Sequence, residues 1–283
     1  MLVAMAAVLW STGGLIVRSL QSTDMWTTVF WRSIFAAAFL VVFIVARDGR
    51  RAIAAFRTMG PPGLLVGACF ATASVSFVVA LNLTSVAHTL VIFSTSPFLA
   101  ALLGWIALGE QVRARSWLAM AAALFGVTVM MTDSVGGGSI AGDLMAFVIA
   151  ICTAVATVTI RRHRSVRMTP ATCLGAVLAA AIAAPLAQPL AVTGGDFGLL
   201  AVFGAFQLGA GLALFTTGAR LAPAAKVALL SVLEPILGPV WVWAILGEHP
   251  GTMALIGGGI VLSALSVNMA MDLRKARPIP PAI

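Results

Sequence analysis

Charge is what this chain has least of. Asp, Glu, Lys and Arg make up only 9% of its 283 residues, against roughly 25% in an ordinary soluble domain. That is too little polar surface to keep a chain of this size in water, which excludes a soluble globular enzyme and a disordered chain. The three cysteines (Cys69, Cys152, Cys173) are too few for a disulfide scaffold. They fall inside apolar runs at no ligand-like spacing and read as small buried hydrophobes. The sequence has no Gly-x-x-x-x-Gly-Lys-Ser/Thr loop, no His-Glu-x-x-His and no Gly-x-Ser-x-Gly elbow. Nucleotide hydrolysis, zinc hydrolysis and serine-hydrolase chemistry thus have no motif to rest on, and the expectation is that this is not an enzyme. The Gly136–Gly138 run reads as a turn. No cofactor and no metal are implied.

What the chain does have is apolar sequence. Hydrophobic residues make up 61% of it, with a mean hydropathy of +1.07. About 20 consecutive apolar residues cross a bilayer as a helix. Ten such segments are legible, at 2–20, 25–46, 61–82, 86–107, 116–132, 142–160, 170–189, 198–218, 224–246 and 251–271. The runs are too long and too uniformly apolar for barrel strands. The expectation is an all-α membrane protein of ten transmembrane helices with short loops. The opening run lacks a basic leader and a small-residue cleavage site, and reads as a retained first span.

The net charge of +8 comes from bases in short clusters without interleaved aromatics, which argues against a nucleic-acid partner. Fifteen of the seventeen basic residues follow even-numbered spans: Arg47, Arg50, Arg51 and Arg57; Arg113 and Arg115; Arg161, Arg162, Arg164 and Arg167; Arg220 and Lys226; Arg274, Lys275 and Arg277. By the positive-inside rule this bias puts both termini in the cytoplasm of a bacterial inner membrane. Arg18 ends the first span and reads as an interface anchor. Arg32 lies within the second and reads as structural.

The sequence also repeats itself. Pro97-Phe98-Leu99 leading to Leu108-Gly109-Glu110 returns 138 positions later as Pro235-Ile236-Leu237 leading to Leu246-Gly247-Glu248, with Trp105 matched to Trp243. The same offset pairs Phe77 with Phe215, Leu83 with Leu221 and Ala87 with Ala225. The repeat unit holds five spans, an odd number, so the second copy runs in the opposite sense. The expected division is a first five-helix repeat at 1–135, a second, inverted repeat at 136–272 and a cytoplasmic tail at 273–283. Inverted repeats favour a substrate site at mid-membrane and alternating access around it.

With its two five-span copies, each closing a fourth span on Pro…Leu-Gly-Glu, the Trp31-Arg32 pair, the stretch 80–87 and Leu233-Glu234-Pro235, the chain resembles the EamA-type branch of the drug/metabolite transporter superfamily. Its layout is most similar to bacterial exporters of aromatic and other neutral amino acids, the YddG-type proteins. The resemblance implies a central cavity lined by spans 1, 3, 4, 6, 8 and 9.

The candidate cavity residues are the polar and aromatic groups stranded in apolar helices: Trp10, Ser11, Thr12, Thr72, Ser76, Phe77, His88, Ser94, Thr153, Thr157, Gln207, Ser231 and Glu234. A neutral or aromatic amino acid suits a mostly apolar pocket with a few hydrogen-bonding groups. Many of these groups also suit a purely local role, a hydroxyl bonding a helix carbonyl for example. Glu234 either contacts a substrate ammonium or proton, or caps backbone near Pro235. Pro97, Pro235 and Pro239 interrupt helices at or near matched places and read as hinges, or as static curvature around a cavity. Trp26, Trp31, Trp105, Trp117, Trp241 and Trp243 read as interface belts. The expected function is export of small metabolites, amino acids first, by a monomer whose partners are its substrate and the lipid bilayer. The scarcity of titratable groups favours facilitated diffusion over proton coupling. The alternative cargoes are drug cations, purines or nucleotide sugars.

Overall fold

The computed structural model describes residues 1–21, 23–83, 89, 92–132, 139–247 and 252–275. Among these every regular element is helical. Apolar helices satisfy their backbone groups internally, so they can turn apolar side chains to lipid as well as to each other. The outward face shows this, with Val42, Ile53, Ile106, Leu118, Phe125 and Leu255 all more than 60% exposed.

The helices are α1 (Leu2–Ser11), α2 (Gly13–Ser19), α3 (Met25–Asp48), α4 (Ala52–Thr58), α5 (Gly60–Leu83), α6 (Ser96–Leu108) and α7 (Ala114–Met131), then α8 (Ile140–Arg162), α9 (Thr169–Ala183), α10 (Gly194–Val202), α11 (Gly211–Ala219), α12 (Ala224–Ser231), α13 (Leu233–Leu246) and α14 (Thr252–Lys275). A π-helical segment, Phe203–Ala210, joins α10 to α11. Each of the ten expected segments carries helix among its described residues. Among the described residues, four stretches are by length and composition long and apolar enough to cross a membrane: Met25–Thr58, Gly60–Ala80, Ile140–Arg162 and Gly194–Ala219. The segment expected at 170–189 is shorter as helix, because Pro185 has no N–H with which to continue the ladder past Ala183.

Packing follows a two-fold exchange. α5 packs on α8 as α11 packs on α1; α9 packs on α5 as the π segment packs on α3; α6 packs on α8 as α13 packs on α1. Of the remaining main contacts, α3 with α9 and α7 with α14 join each helix to its own counterpart, and α6 with α12 joins the fourth span of one copy to the fourth span of the other. Counterparts run antiparallel. Along α3 and α9, Thr27 Oγ1 accepts from the Gln188 amide at one end, Cys173 Sγ lies on the Ala37 carbonyl in the middle, and Asp48 meets Arg167 at the other end. Along α7 and α14, Arg115 Nη1 donates to the Met271 carbonyl at 3.4 Å, while Gly126 lies on Gly257 and Val261. One half is therefore upside down with respect to the other.

The repeated Leu-Gly-Glu has a physical cause. Gly109 and Gly247 both close their helices in the left-handed conformation, at φ +65° and +71°, where any side chain would be strained. Close approach between helices also rests on missing side chains. A Cβ on Gly204 would meet the Arg32 carbonyl and Phe35, and one on Gly175 would meet the Gly67 carbonyl at 2.8 Å.

Candidate functional site in the bundle interior

Three helical irregularities meet at one place. α1 gives way to α2 at Thr12, where the backbone tightens and the Thr12 amide bonds the Leu9 carbonyl at 3.2 Å. α12 gives way to α13 at Val232 in the same manner, the Val232 amide bonding the Leu229 carbonyl at 3.2 Å. The π segment supplies the third. The Val232 break has a counterpart at Ser94–Thr95, where the Thr95 amide bonds the Ile92 carbonyl at 3.0 Å, whereas α8 and α5, the counterparts of α1–α2 and of the π segment's helix, run unbroken. Mid-helix tightening and π segments mark positions under functional demand.

Side chains join these breaks. Gln207, in the π segment, donates from Nε2 to the Trp10 carbonyl at 3.0 Å, and its amide lies where a side chain on Gly13 would be. Ser11 Oγ donates to the Val8 carbonyl at 2.7 Å and accepts from Trp241 Nε1 of α13 at 2.8 Å. The Trp10 ring lies 5.1 Å from that of Phe215, which in turn meets Phe70 edge-on at 6.2 Å. The Trp10 indole occupies the space beside Gly211, which a side chain there would fill. Two buried polar atoms here have no partner among the described residues, Trp10 Nε1, which lies against Gly211, and Gln207 Oε1. Leaving a buried donor and acceptor unmade costs about 1–3 kcal/mol each. Glu234 lies in the first turn of α13, one turn before Gly238 and two before Trp241. Gly238 and Trp241 both approach Ser11, so Glu234 shares the face of α13 that turns toward α1.

The other expected residues divide. Thr12 Oγ1 caps the Leu9 carbonyl at 2.7 Å. Ser231 is buried and donates to the Val227 carbonyl at 3.2 Å. Thr157 is buried and donates to the Thr153 carbonyl at 2.7 Å. Ser76 and Ser94 are buried, and Phe77 packs with Val29, Val78 and Ala183. Thr72 does not join the site: it continues the exposed stripe of Leu64, Leu65 and Ala68 on the outward face of α5. His88 lies outside the described residues, as do the side chains of Arg18 and Pro239. Pro97 is not in a helix interior. The break falls upstream at Ser94–Thr95, and α6 starts at Ser96 with Pro97 in its first turn, where a missing N–H costs nothing. Pro235 sits in the first turn of α13 just past the Val232 break.

Two polar ties that the sequence reading did not foresee flank the site. At the Arg-rich end, Glu110 accepts from Arg161 Nε at 2.8 Å and from the Ala224 amide at 3.2 Å. Arg161 also donates to the Arg220 carbonyl at 3.2 Å. At the opposite end, Asp196 accepts from the Gln21 amide at 3.1 Å and from Thr23 Oγ1 at 3.0 Å. Arg32 is buried, donates to Ser74 Oγ at 2.7 Å and lies over the Phe203 ring, a structural placement that holds the π segment against α3 and α5. Trp241, expected in an interface belt, instead bonds Ser11. Among the described residues no cluster of three or more His, Cys, Asp or Glu could hold a metal ion.

Comparison with known proteins places this geometry. A solved structure described only as the crystal structure of a protein superposes with a TM-score of 0.84 over 97% of this chain and 98% of its own, at 19% identity, a likeness of fold. No curated protein matches the chain. The family model for EamA-like transporters matches residues 1–132 and again 140–270. With that model met twice, and with a bundle whose halves exchange by a two-fold, the chain belongs to the EamA-like transporter family of the drug/metabolite transporter superfamily and is a multi-pass membrane protein of a kind that carries small solutes.

Proposed function

We propose that the protein is a secondary transporter, not an enzyme, that exports aromatic and other neutral amino acids across a bacterial inner membrane by alternating access. All ten helical segments cross the bilayer in this reading, and the Arg-rich end with both termini faces the cytoplasm. One chain suffices, without cofactor or metal. The observation that carries the reading is the pair of unpartnered atoms beside three converging helix breaks. Trp10 Nε1–H suits a substrate carboxylate, Gln207 Oε1 suits its ammonium, and the Phe215–Phe70 edge suits an aromatic side chain. The ties at Glu110 and Asp196 are the contacts that must exchange as the site turns from one side to the other.

The test is counterflow of labelled phenylalanine and other neutral amino acids into liposomes holding the purified protein. Uptake is expected, with a loss of about tenfold or more for Gln207→Leu, consistent with one polar contact removed. Absence of counterflow for every neutral amino acid removes the substrate claim and leaves the fold untouched. Glu234, on the face turned toward α1, favours a second reading in which the cargo is an organic cation. Under that reading Glu234→Gln abolishes cation transport; under the first it leaves amino-acid counterflow in place.

A further inference from the structure

One buried cation has no counter-charge. Arg32 lies about 10 Å along α3 from its first residue and is only 6% exposed. An ionised side chain inside an apolar helix is costly and ordinarily meets an opposite charge. Among the described residues no carboxylate pairs with Arg32. The two acids that flank α3 are engaged elsewhere: Asp24 accepts from the Trp26 and Thr27 amides at its start, and Asp48 pairs with Arg47 and Arg167 at its end. The Phe203 ring lies 5.1 Å from the guanidinium carbon, and a ring face offsets only part of the charge.

The guanidinium is also only half used along one edge. Nε and Nη2 share that edge and together match one anion. Arg47 shows the full fork in this chain, with Nε and Nη2 on the two Asp48 oxygens at 3.3 and 3.1 Å. At Arg32, Nη2 donates to Ser74 Oγ of α5 at 2.7 Å, while Nε beside it is buried without a partner. Ser74 Oγ accepts that bond and keeps its own hydrogen to donate. An ion on Nε lies within reach of that hydroxyl, since the two nitrogens share one carbon. Phe203 covers the guanidinium and also reaches within 3.6 Å of where a side chain on Gly13 would start, beside the Thr12 break.

We propose that Arg32 Nε and the Ser74 hydroxyl bind one small inorganic anion, chloride under physiological conditions, as the counter-charge of Arg32 inside α3. Burial restricts the site to a monovalent ion, because a multiply charged one pays far more to leave water. Such a site needs only the fold and holds whatever the cargo is.

The test uses the purified full chain in detergent, with sodium chloride, bromide or acetate exchanged for gluconate at constant ionic strength, read by thermal melting and by the width of the chloride NMR line. Chloride and bromide are expected to raise the melting temperature saturably. The chloride line should broaden when protein is added and narrow again when bromide displaces the ion. Arg32→Gln should abolish both signals. Ser74→Ala, which leaves the guanidinium in place, should weaken chloride about tenfold, as for one hydrogen bond to a charged group. Its melting temperature in gluconate, read beside wild type, separates lost binding from lost folding, and its result stands by itself if Arg32→Gln does not fold. Equal signals in wild type and Ser74→Ala overturn the site, as does a chloride line that the wild type leaves narrow. Stabilisation by acetate or phenylalanine without any from chloride overturns the inorganic ion in favour of a substrate carboxylate.

Discussion

The carboxylate of Glu110 acts at a distance because the glycine before it can turn. Gly109 bends the chain back in the left-handed conformation, and Glu110 then reaches the end of α8 through Arg161 and the first amide of α12. Hydrogen bonds to charged groups contribute about 1.5–3 kcal/mol when partly buried. Glu110→Ala is expected to lower the melting temperature and to speed proteolysis in the turn before α12, measured by calorimetry and limited digestion. Asp48 forms a more exposed tie. The side-chain hydrogen bond from Arg47, with the charges of Arg47 and Arg167 beside it, holds its carboxyl below the usual carboxylate range. A carboxylate depressed in the folded state stabilises above its unfolded value, near pH 4, and that stability is lost as pH falls through the folded value. The stability gap between wild type and Asp48→Asn should therefore be constant at neutral pH and close below about pH 4, in melting curves recorded across pH. At this scale the sequence was only partly legible. Gln207, Trp10 and Ser231 stand out as polar or amphipathic groups in apolar runs and do lie inside. Thr72 stands out equally but faces outward, because a single polar residue carries no phase; only its spacing from Leu64 and Ala68 reveals its face. Trp241 looked like a belt residue, since a tryptophan near a helix end reads the same whether its N–H meets water or Ser11.

At the scale of elements, the breaks matter more than the helices. Apolar runs mark where helices form, but a one-residue tightening at Thr12 or Val232 leaves almost no trace in composition. Gly13 and Gly14 beside the first and Pro235 beside the second were the available signals. The prolines drew attention to the right neighbourhood and to the wrong residue: in α6 the chain bends at Ser94–Thr95, before Pro97. The π segment follows from glycine placement. Gly204 and Gly209 let it lie on the backbone of α3 at Arg32 and Ala36, a spacing that a regular helix does not present on one face. Gly204→Ala is expected to cost about 1–3 kcal/mol by forcing α3 away. Gly198→Ala, in α10 with nothing within 4 Å, should be neutral or slightly stabilising. Paired unfolding measurements on the two variants test whether contact, rather than helix propensity, sets the difference.

For the whole molecule, the duplication was readable because charge and motif kept the same count. Bases after every even segment and the 138-residue offset each depend on five segments per copy, and the antiparallel pairs α3 with α9 and α7 with α14 are what five segments produce. Cargo was not readable by the same means, since duplication fixes a frame and leaves open which groups the frame presents. Tags on the first and last residues should be labelled from the same side of the membrane by an impermeant reagent, and labelling from opposite sides would contradict the even count.

The glycine seams also restrict how such a frame can change shape. Where α9 lies on α5 and the π segment on α3, backbone touches backbone, and sliding either pair by one residue would drive a side chain onto a carbonyl. Under the alternating access proposed above, these pairs are expected to swing as solid blocks and flexing to fall on the breaks at Thr12, Thr95 and Val232, so stiffening any one of them should jam the machine without loosening its build.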